Sequence, residues 1–341
     1  MTPDALLHPT PAGLYCPAGD FYIDPVRPVA RAVITHGHAD HARAGHEHVL
    51  ATPETLDIMA ARYGVAFSAS RQGAAYGERT TVNGVSVRLV PAGHVLGSAQ
   101  AVVEHKGLRI VASGDYKRRA DPTCAPFEPV PCDVFITEAT FALPVFRHPD
   151  DRGEIAKLLR SVATFPERTH LVGAYSLGKA QRVIALLREA GWDRPIHLHG
   201  SMETLCALYE RHGVALGPLA PATVRENGAK GGAKRDFAGE IVIAPPSAFS
   251  DAWSRRFAEP VFAFASGWMR IRQRAKQRGL ELPLILSDHA DWDELTDTIR
   301  EIAPGEVWVT HGRDDALLRW AELEGIAARP LALVGYEDEG D

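Results

Sequence analysis

Cysteine is scarce: four residues in 341, at positions 16, 124, 132 and 206, with no pair at CxxC spacing. A chain of this length can build a useful core without disulfide staples, so the thiols read as reduced and the protein as cytoplasmic. No apolar run approaches the roughly 18 residues of a membrane span, and no basic stretch leading into an apolar one opens the sequence. Neither a membrane partner nor a signal peptide is therefore expected. Positive charge is not in excess: 37 Lys and Arg stand against 43 Asp and Glu, for a net charge of −6. Coating of nucleic acid by bulk charge is argued against, while a local basic groove stays open. There is no internal repeat and no low-complexity tract. With 45% hydrophobic and 23% charged residues, the composition excludes disordered, collagen-like and coiled-coil chains. The length points to two domains, or to one large domain carrying an insertion.

What the chain does hold is histidine: 15 in all, five of them between His36 and His48. The first half reads as short strands, RAVIT, VSVRLV, AQAVVEH, LRIVASG and VFITE, bounded by Gly, Pro, Asn and Asp. One helix, PETLDIMAARYG, interrupts them, with Thr52 placed to cap it and Pro53 at its first position. From about residue 150 strands alternate with helices, the signature of a parallel sheet with covering helices. Within that region residues 217–239 are poor in large apolar residues and read as a surface excursion.

The strand RAVIT runs directly into His36-Gly37-His38-Ala39-Asp40-His41. Three imidazoles and a carboxylate in six residues suit borderline metals such as zinc, which accept neutral nitrogen and carboxylate oxygen. His36 and His38 can address one ion from the strand end while Asp40 and His41 turn toward a second, and Gly37 permits the sharp turn. His94, Asp115, Glu138, His289 and His311 each sit at the end of an apolar strand as well. A lone histidine there would be an ordinary structural residue; the repetition makes a shared site the better reading.

These residues carry a resemblance. His36-x-His38-x-Asp40-His41, followed by His94 and Asp115, resembles the dinuclear site of the metallo-β-lactamase fold. Glu138 in TEATF, His289 in SDHAD and His311 in VTHG resemble the three added motifs of the β-CASP nucleases. GLYCPAGDFYIDP, PAGHVLGSAQ, SGDYKR, YSLGKAQR, FASGWM and LSDHADW are similar to the bacterial ligase-associated DNA exonucleases, relatives of the pre-mRNA 3′-end cleavage factor. The resemblance implies an α/β protein, a metallo-β-lactamase αββα sandwich (1–147 and 285–341) with an inserted α/β β-CASP domain over 148–284. It implies two divalent ions, zinc with manganese also accepted. His36, His38 and His94 would hold one, Asp40, His41 and His311 the other, and Asp115 would bridge. Asp24, chosen over Asp20 for its strand-end position, would orient a ligand from behind.

The implied activity is that of a metal-dependent phosphodiesterase, a DNA exonuclease of repair working in association with a DNA ligase. Two ions about 3.5–4 Å apart can acidify a water and stabilise charge on the reacting phosphate, so no protein nucleophile is needed. Asp40, His289 and Glu138 form the catalytic set, with His289 as the acid for the leaving oxygen and Glu138 orienting it. An RNA-processing endo- or exonuclease of the same fold is the first alternative, and a small-molecule hydrolase on the scaffold the second. For the polymer, Ser176 and Lys179 join a strand to a helix where phosphate binds well. Lys117 and Arg118 follow Asp115 directly, and Arg270 and Arg274 fall on one face of an expected helix.

Overall fold

The computed structural model describes residues 1–222 and 236–333. Most of the excursion read over 217–239 therefore lies outside the described residues. The chain divides into two compact units, Met1–Arg147 with His289–Asp341, and His148–Asp288.

The first unit begins with a helical turn, α1 (Pro3–Leu6), and the strands β1 (His8–Thr10), β2 (Gly13–Cys16), β3 (Phe21–Ile23), β4 (Arg31–Val33), β5 (His48–Ala51) and β6 (Ser70–Gly73). They pair in that order as a six-stranded sheet, antiparallel at first and parallel from β3 onward. Helix α2 (Pro53–Tyr63) separates the last two strands, and the Thr52 hydroxyl caps it by accepting the Thr55 amide at 3.2 Å. Strands β7 (Arg79–Val82), β8 (Val85–Pro91), β9 (Ala99–His105), β10 (Leu108–Ala112) and β11 (Val134–Ala139) begin a second sheet.

The second unit alternates as read from sequence. It contains α3 (Asp151–Thr164), β12 (His170–Gly173), α4 (Lys179–Glu189), β13 (Ile196–Leu198), α5 (Gly200–Arg211), β14 (Leu219–Pro221), β15 (Ile241–Ala244), β16 (Val261–Ala265), α6 (Arg272–Gln277) and β17 (Leu282–Leu284). Its six strands form one parallel sheet in the order β14-β13-β15-β12-β16-β17. The central strands are wholly buried, and such strands read as unbroken apolar runs.

The chain then returns to the first unit with α7 (Trp292–Ile302), β18 (Glu306–Gly312), α8 (Asp315–Leu323) and β19 (Ala328–Pro330). β18 pairs in parallel with β11, so the second sheet runs β19-β18-β11-β10-β9-β8-β7. One buried cluster draws Leu14, Phe21, Ile23, Val33 and Leu50 from the first sheet and Val87, Leu89, Val103, Ile110, Ile136 and Trp308 from the second. Alternate residues point the other way. Ala32, Ile34, Val49 and Ala51 meet Met59 of α2, while Val102, Val111, Phe135, Val307 and Val309 meet Leu295, Ile299, Ile302 and Leu317 of α7 and α8. Each sheet is thus covered on both faces, which holds the strand ends that carry the histidines on a rigid base.

Candidate metal centre

β4 ends at Val33, and the next residues lie buried at its carboxyl end: Thr35, His36, Gly37 and His38. Gly37 is there because a Cβ would stand 2.5 Å from Ile58 Cγ2 on α2. Arg62, one turn further along α2, donates to the Gly37 carbonyl at 2.7 Å. The opposite end of α2 clamps the His94 loop, where the Thr52 and Thr55 hydroxyls both donate to the Gly97 carbonyl, at 2.7 and 3.0 Å. Ser98 Oγ accepts the amides of His94 and Val95. Two loops distant in sequence are thereby splinted by one helix.

The donors converge on Asp115, at the end of β10. Its Oδ2 lies 3.4 Å from His36 Nε2, 3.5 Å from His41 Nε2 and 3.7 Å from His94 Nε2. Asp40 Oδ2 is 3.5 Å from His41 Nε2. His36, His38, His94 and Asp115 offer donor atoms that all fall within 4.8 Å of one another, and all four side chains are buried. Separations of 3.4–3.7 Å are too long for hydrogen bonds. They match two ligands sharing one ion: atoms each about 2.1 Å from a tetrahedral centre stand about 3.4 Å apart. The residues fit a metal ion on this chain's own geometry. The His311 ring lies 5.1 Å from that of His41.

Hydrogen bonds behind the donors fix which nitrogens face inward. Asp24 Oδ2 is 2.8 Å from His41 Nδ1; a carboxylate only accepts, so Nδ1 carries the proton and Nε2 is left for an ion. Asp24 Oδ1 accepts the Thr35 amide at 2.7 Å, and its Oδ2 also accepts the Thr35 hydroxyl. With that proton committed, Thr35 Oγ1 accepts from His36 Nδ1 at 3.0 Å, and His36 Nε2 is freed in the same way. Asp20 is occupied elsewhere, by Arg31 and the Tyr15 hydroxyl. Backbone strain collects here as well: Asp24 and His311 both sit in the left-handed region, at φ 43° and 53°.

The electrostatics are those of a cation site. Burial holds the His36 and His94 imidazoles below their usual range, neutral as ligands must be. Burial pushes His311 down to about 4. Burial alone would also lower His41, but Asp115, Asp40 and Asp24 together pull it up to about 10. Burial would raise Asp115, yet His41 and His36 beside it hold its carboxyl well below the carboxylate range.

Next to this cluster His289 Nδ1 donates to Glu138 Oε2 at 2.9 Å, and Glu138 Oε1 accepts the Tyr116 amide at 2.7 Å. Glu138 is fully buried. The His289 ring lies 4.7 Å from that of His94, and Asp115, Glu138 and His289 form a second convergent donor group.

No family model matches the chain. It is 30% identical over 310 residues to a probable DNA ligase of Opitutus terrae, covering 88% of this chain and 28% of that one. Against the endoribonuclease ysh1 of Aspergillus fumigatus it is 27% identical over 268 residues, 74% of this chain and 27% of the relative. The cleavage and polyadenylation specificity factor 73 of Drosophila melanogaster is 25% identical over 287 residues, 71% of this chain and 42% of that protein. The chain is a relative of the β-CASP metallo-β-lactamase-fold nucleases. It spans between about a quarter and two fifths of the length of these relatives. A crystal structure of a protein of unknown function from Enterococcus faecalis shares the fold, with a TM-score of 0.59 at 15% identity over 89% of this chain and 80% of that one.

Not all residues proposed from sequence to meet a polymer are placed as this β-CASP relationship had suggested. Lys117 is fully buried and its ammonium bonds Asp121, so it cannot face a phosphate. Arg118 reaches Thr298 at 2.9 Å and Glu301 at 2.6 Å, with its guanidinium over the Phe127 ring. In the second unit Lys179 is also buried, bonded to the Leu286 carbonyl at 2.8 Å and to Asp288 at 3.1 Å. Its neighbour Arg182 bonds Asp151, Asp288 and the Ser287 carbonyl, so this lysine belongs to an internal ion network. Ser176 stays half-buried in the loop before α4. The single helix face expected to carry Arg270 and Arg274 does not form, because α6 covers only Arg272–Gln277 and Arg270 ends a separate 3-10 turn. Arg270 is exposed, and Arg274 lies 4.1 Å over the Trp268 ring. Thr35, Arg62, Ser98 and Tyr116 were not singled out from sequence. The adjacency of Thr35 to His36 and of Tyr116 to Asp115 could have flagged two of them.

Among the described residues no helix is long and apolar enough to cross a membrane.

Proposed function

We propose that this chain is a two-metal phosphodiesterase, a DNA exonuclease acting in repair. The observation that carries the reading is the Asp115 carboxylate oxygen with three imidazole nitrogens at 3.4–3.7 Å and the Asp40 carboxylate beside them. The fold we assign is the metallo-β-lactamase αββα sandwich with a β-CASP domain inserted from residue 148. The shared core of the two sheets and the outer clusters under α2 and under α7 and α8 support it.

His36, His38 and His94 would hold one ion and Asp40, His41 and His311 the other, with Asp115 between them. Zinc suits this set, and manganese is accepted by the same ligands. Bound there, the ions supply charge stabilisation at the phosphate and a water acidic enough to attack near neutral pH. His289 delivers a proton from Nε2 to the leaving oxygen, since its Nδ1 proton is committed to Glu138. Glu138, buried and held by the Tyr116 amide, keeps that ring in one tautomer and one orientation.

DNA is favoured because the Opitutus terrae relative that carries this match in 28% of its length is named a probable DNA ligase. We infer from it a functional association with a DNA ligase. RNA is the second reading, favoured by relatives named as endoribonucleases. Digestion of end-labelled single- and double-stranded DNA and RNA decides between them, with chelated protein reloaded with Zn²⁺ or Mn²⁺. Metal-dependent shortening of DNA from an end is expected; internal cuts in RNA alone would transfer the assignment to RNA processing, and no cleavage of either would end the nuclease reading.

A further inference from the structure

Three consecutive cations follow the Asp115 loop, and none is free for a polymer. The third, Arg119, has a specific place. Its Nη2 donates to Asp291 Oδ2 at 2.7 Å and its Nε to Glu294 Oε1 at 3.0 Å. Asp291 caps α7 and shares a reciprocal box with Glu294: each carboxylate accepts the other's backbone amide, both at 3.1 Å. Two residues before that cap stands His289. The turn between them is tied to the Asp115 loop a second time, where the Ala290 amide donates to the Tyr116 carbonyl at 2.6 Å.

His289 is therefore held from two sides, by Glu138 on its ring and by Arg119 through the cap of the following helix. α7 does not need Arg119 to fold or dock. It carries its own capping box, and Leu295, Ile299 and Ile302 are buried in the core. What depends on Arg119 is the setting of the turn before the helix against the loop that carries Asp115. A planar guanidinium can address two carboxylates in different directions at once, which a single ammonium on a flexible stem does poorly. We propose that Arg119 is a positioning residue for His289, locking the His289 turn onto the Asp115 loop so that the imidazole meets the leaving oxygen at the right angle. The inference rests on reading His289 as the proton donor.

The test uses two substrates on the full chain. An oligonucleotide loses an alkoxide and needs the proton; the p-nitrophenyl ester of thymidine 5′-monophosphate loses a stable phenolate and does not. In Arg119→Ala, kcat on the oligonucleotide should fall by about 10- to 10²-fold, short of the about 10²–10⁴ that general acid catalysis supplies. KM, metal content and turnover of the aryl ester should stay within about twofold of the parent. Methylguanidine should restore part of the oligonucleotide rate and leave the aryl ester unaffected. If Arg119→Ala fails to fold, Asp291→Asn keeps a capping acceptor, removes the charge Arg119 holds, and should show the same split. Unchanged oligonucleotide cleavage, or equal losses on both substrates, would overturn the role of Arg119 alone. A parent protein that turns over the aryl ester but no nucleic acid would overturn the nuclease reading, and this inference with it.

Discussion

Asp24 accepts a hydrogen bond from His41 Nδ1 at 2.8 Å and, through the Thr35 hydroxyl, also sets the tautomer of His36. One carboxylate thus orients two imidazoles whose Nε2 atoms both address Asp115 Oδ2, at 3.4 and 3.5 Å.

Loss of that support should weaken metal binding before it affects the fold. Asp24→Asn and Thr35→Val are each expected to lower metal affinity by about 10–100-fold, the usual cost of removing such a partner. Competition with a chromophoric chelator measures it. Affinity equal to the parent in both variants would remove Asp24 from this role.

The late histidines should separate by experiment. His311→Ala is expected to lose metal, because water must replace one ligand. His289→Ala should keep its metal and lose about 10²–10⁴-fold in cleavage. Elemental analysis beside a cleavage assay reads both, and the opposite pattern would reverse the two assignments.

Gly37→Ala should be destabilised by about 1–3 kcal/mol, since the new methyl meets Ile58 Cγ2 at 2.5 Å in a fully buried site. Ile58→Ala in the same chain should restore part of the loss by opening room. Thermal melts of the single and double variants check it, and strict additivity of the two changes would refute the contact.

Alkaline pH should unfold the protein partly through two thiols, the half-buried Cys132 and the buried Cys206. Burial pushes Cys132 up to about 12 and Cys206 up to about 11. Unfolded thiols ionise near pH 8.5, so above that the unfolded chain binds fewer protons than the folded one. Their contribution to stability is complete below about pH 8.5 and declines as pH rises toward the folded values. Tm should therefore drop between pH 8 and 10, less steeply in Cys132→Ala, and iodoacetamide should modify neither thiol until the chain unfolds. Rapid alkylation of Cys132 in native protein at pH 8 would contradict this.

Much of the architecture was legible in the sequence because its periodicities are local. The helix over Pro53–Tyr63, its Thr52 cap, and the alternation of the second unit follow from spacing and turn residues read a few positions at a time. The exposed strand Ser70–Gly73 was not legible. Its SRQG carries no apolar alternation and is a strand only because β5 offers it a parallel edge. The 3-10 turn that splits the arginine run was hidden for a related reason. Charge spacing alone cannot tell a continuous helix from two short turns.

By itself the sequence determined which residue types could hold a metal and that they stand at strand ends, since His36, His38, Asp40 and His41 share one short stretch. Only the tertiary structure decided which cations serve the surface and which the interior. Lys117 and Lys179 are buried against Asp121 and Asp288, and Arg119 is fastened to a helix 172 positions away. The reason is physical: a buried charge must find a partner, and folding decides whether that is a carboxylate four positions on, as Asp121 is for Lys117, or one 172 positions away, as Asp291 is for Arg119.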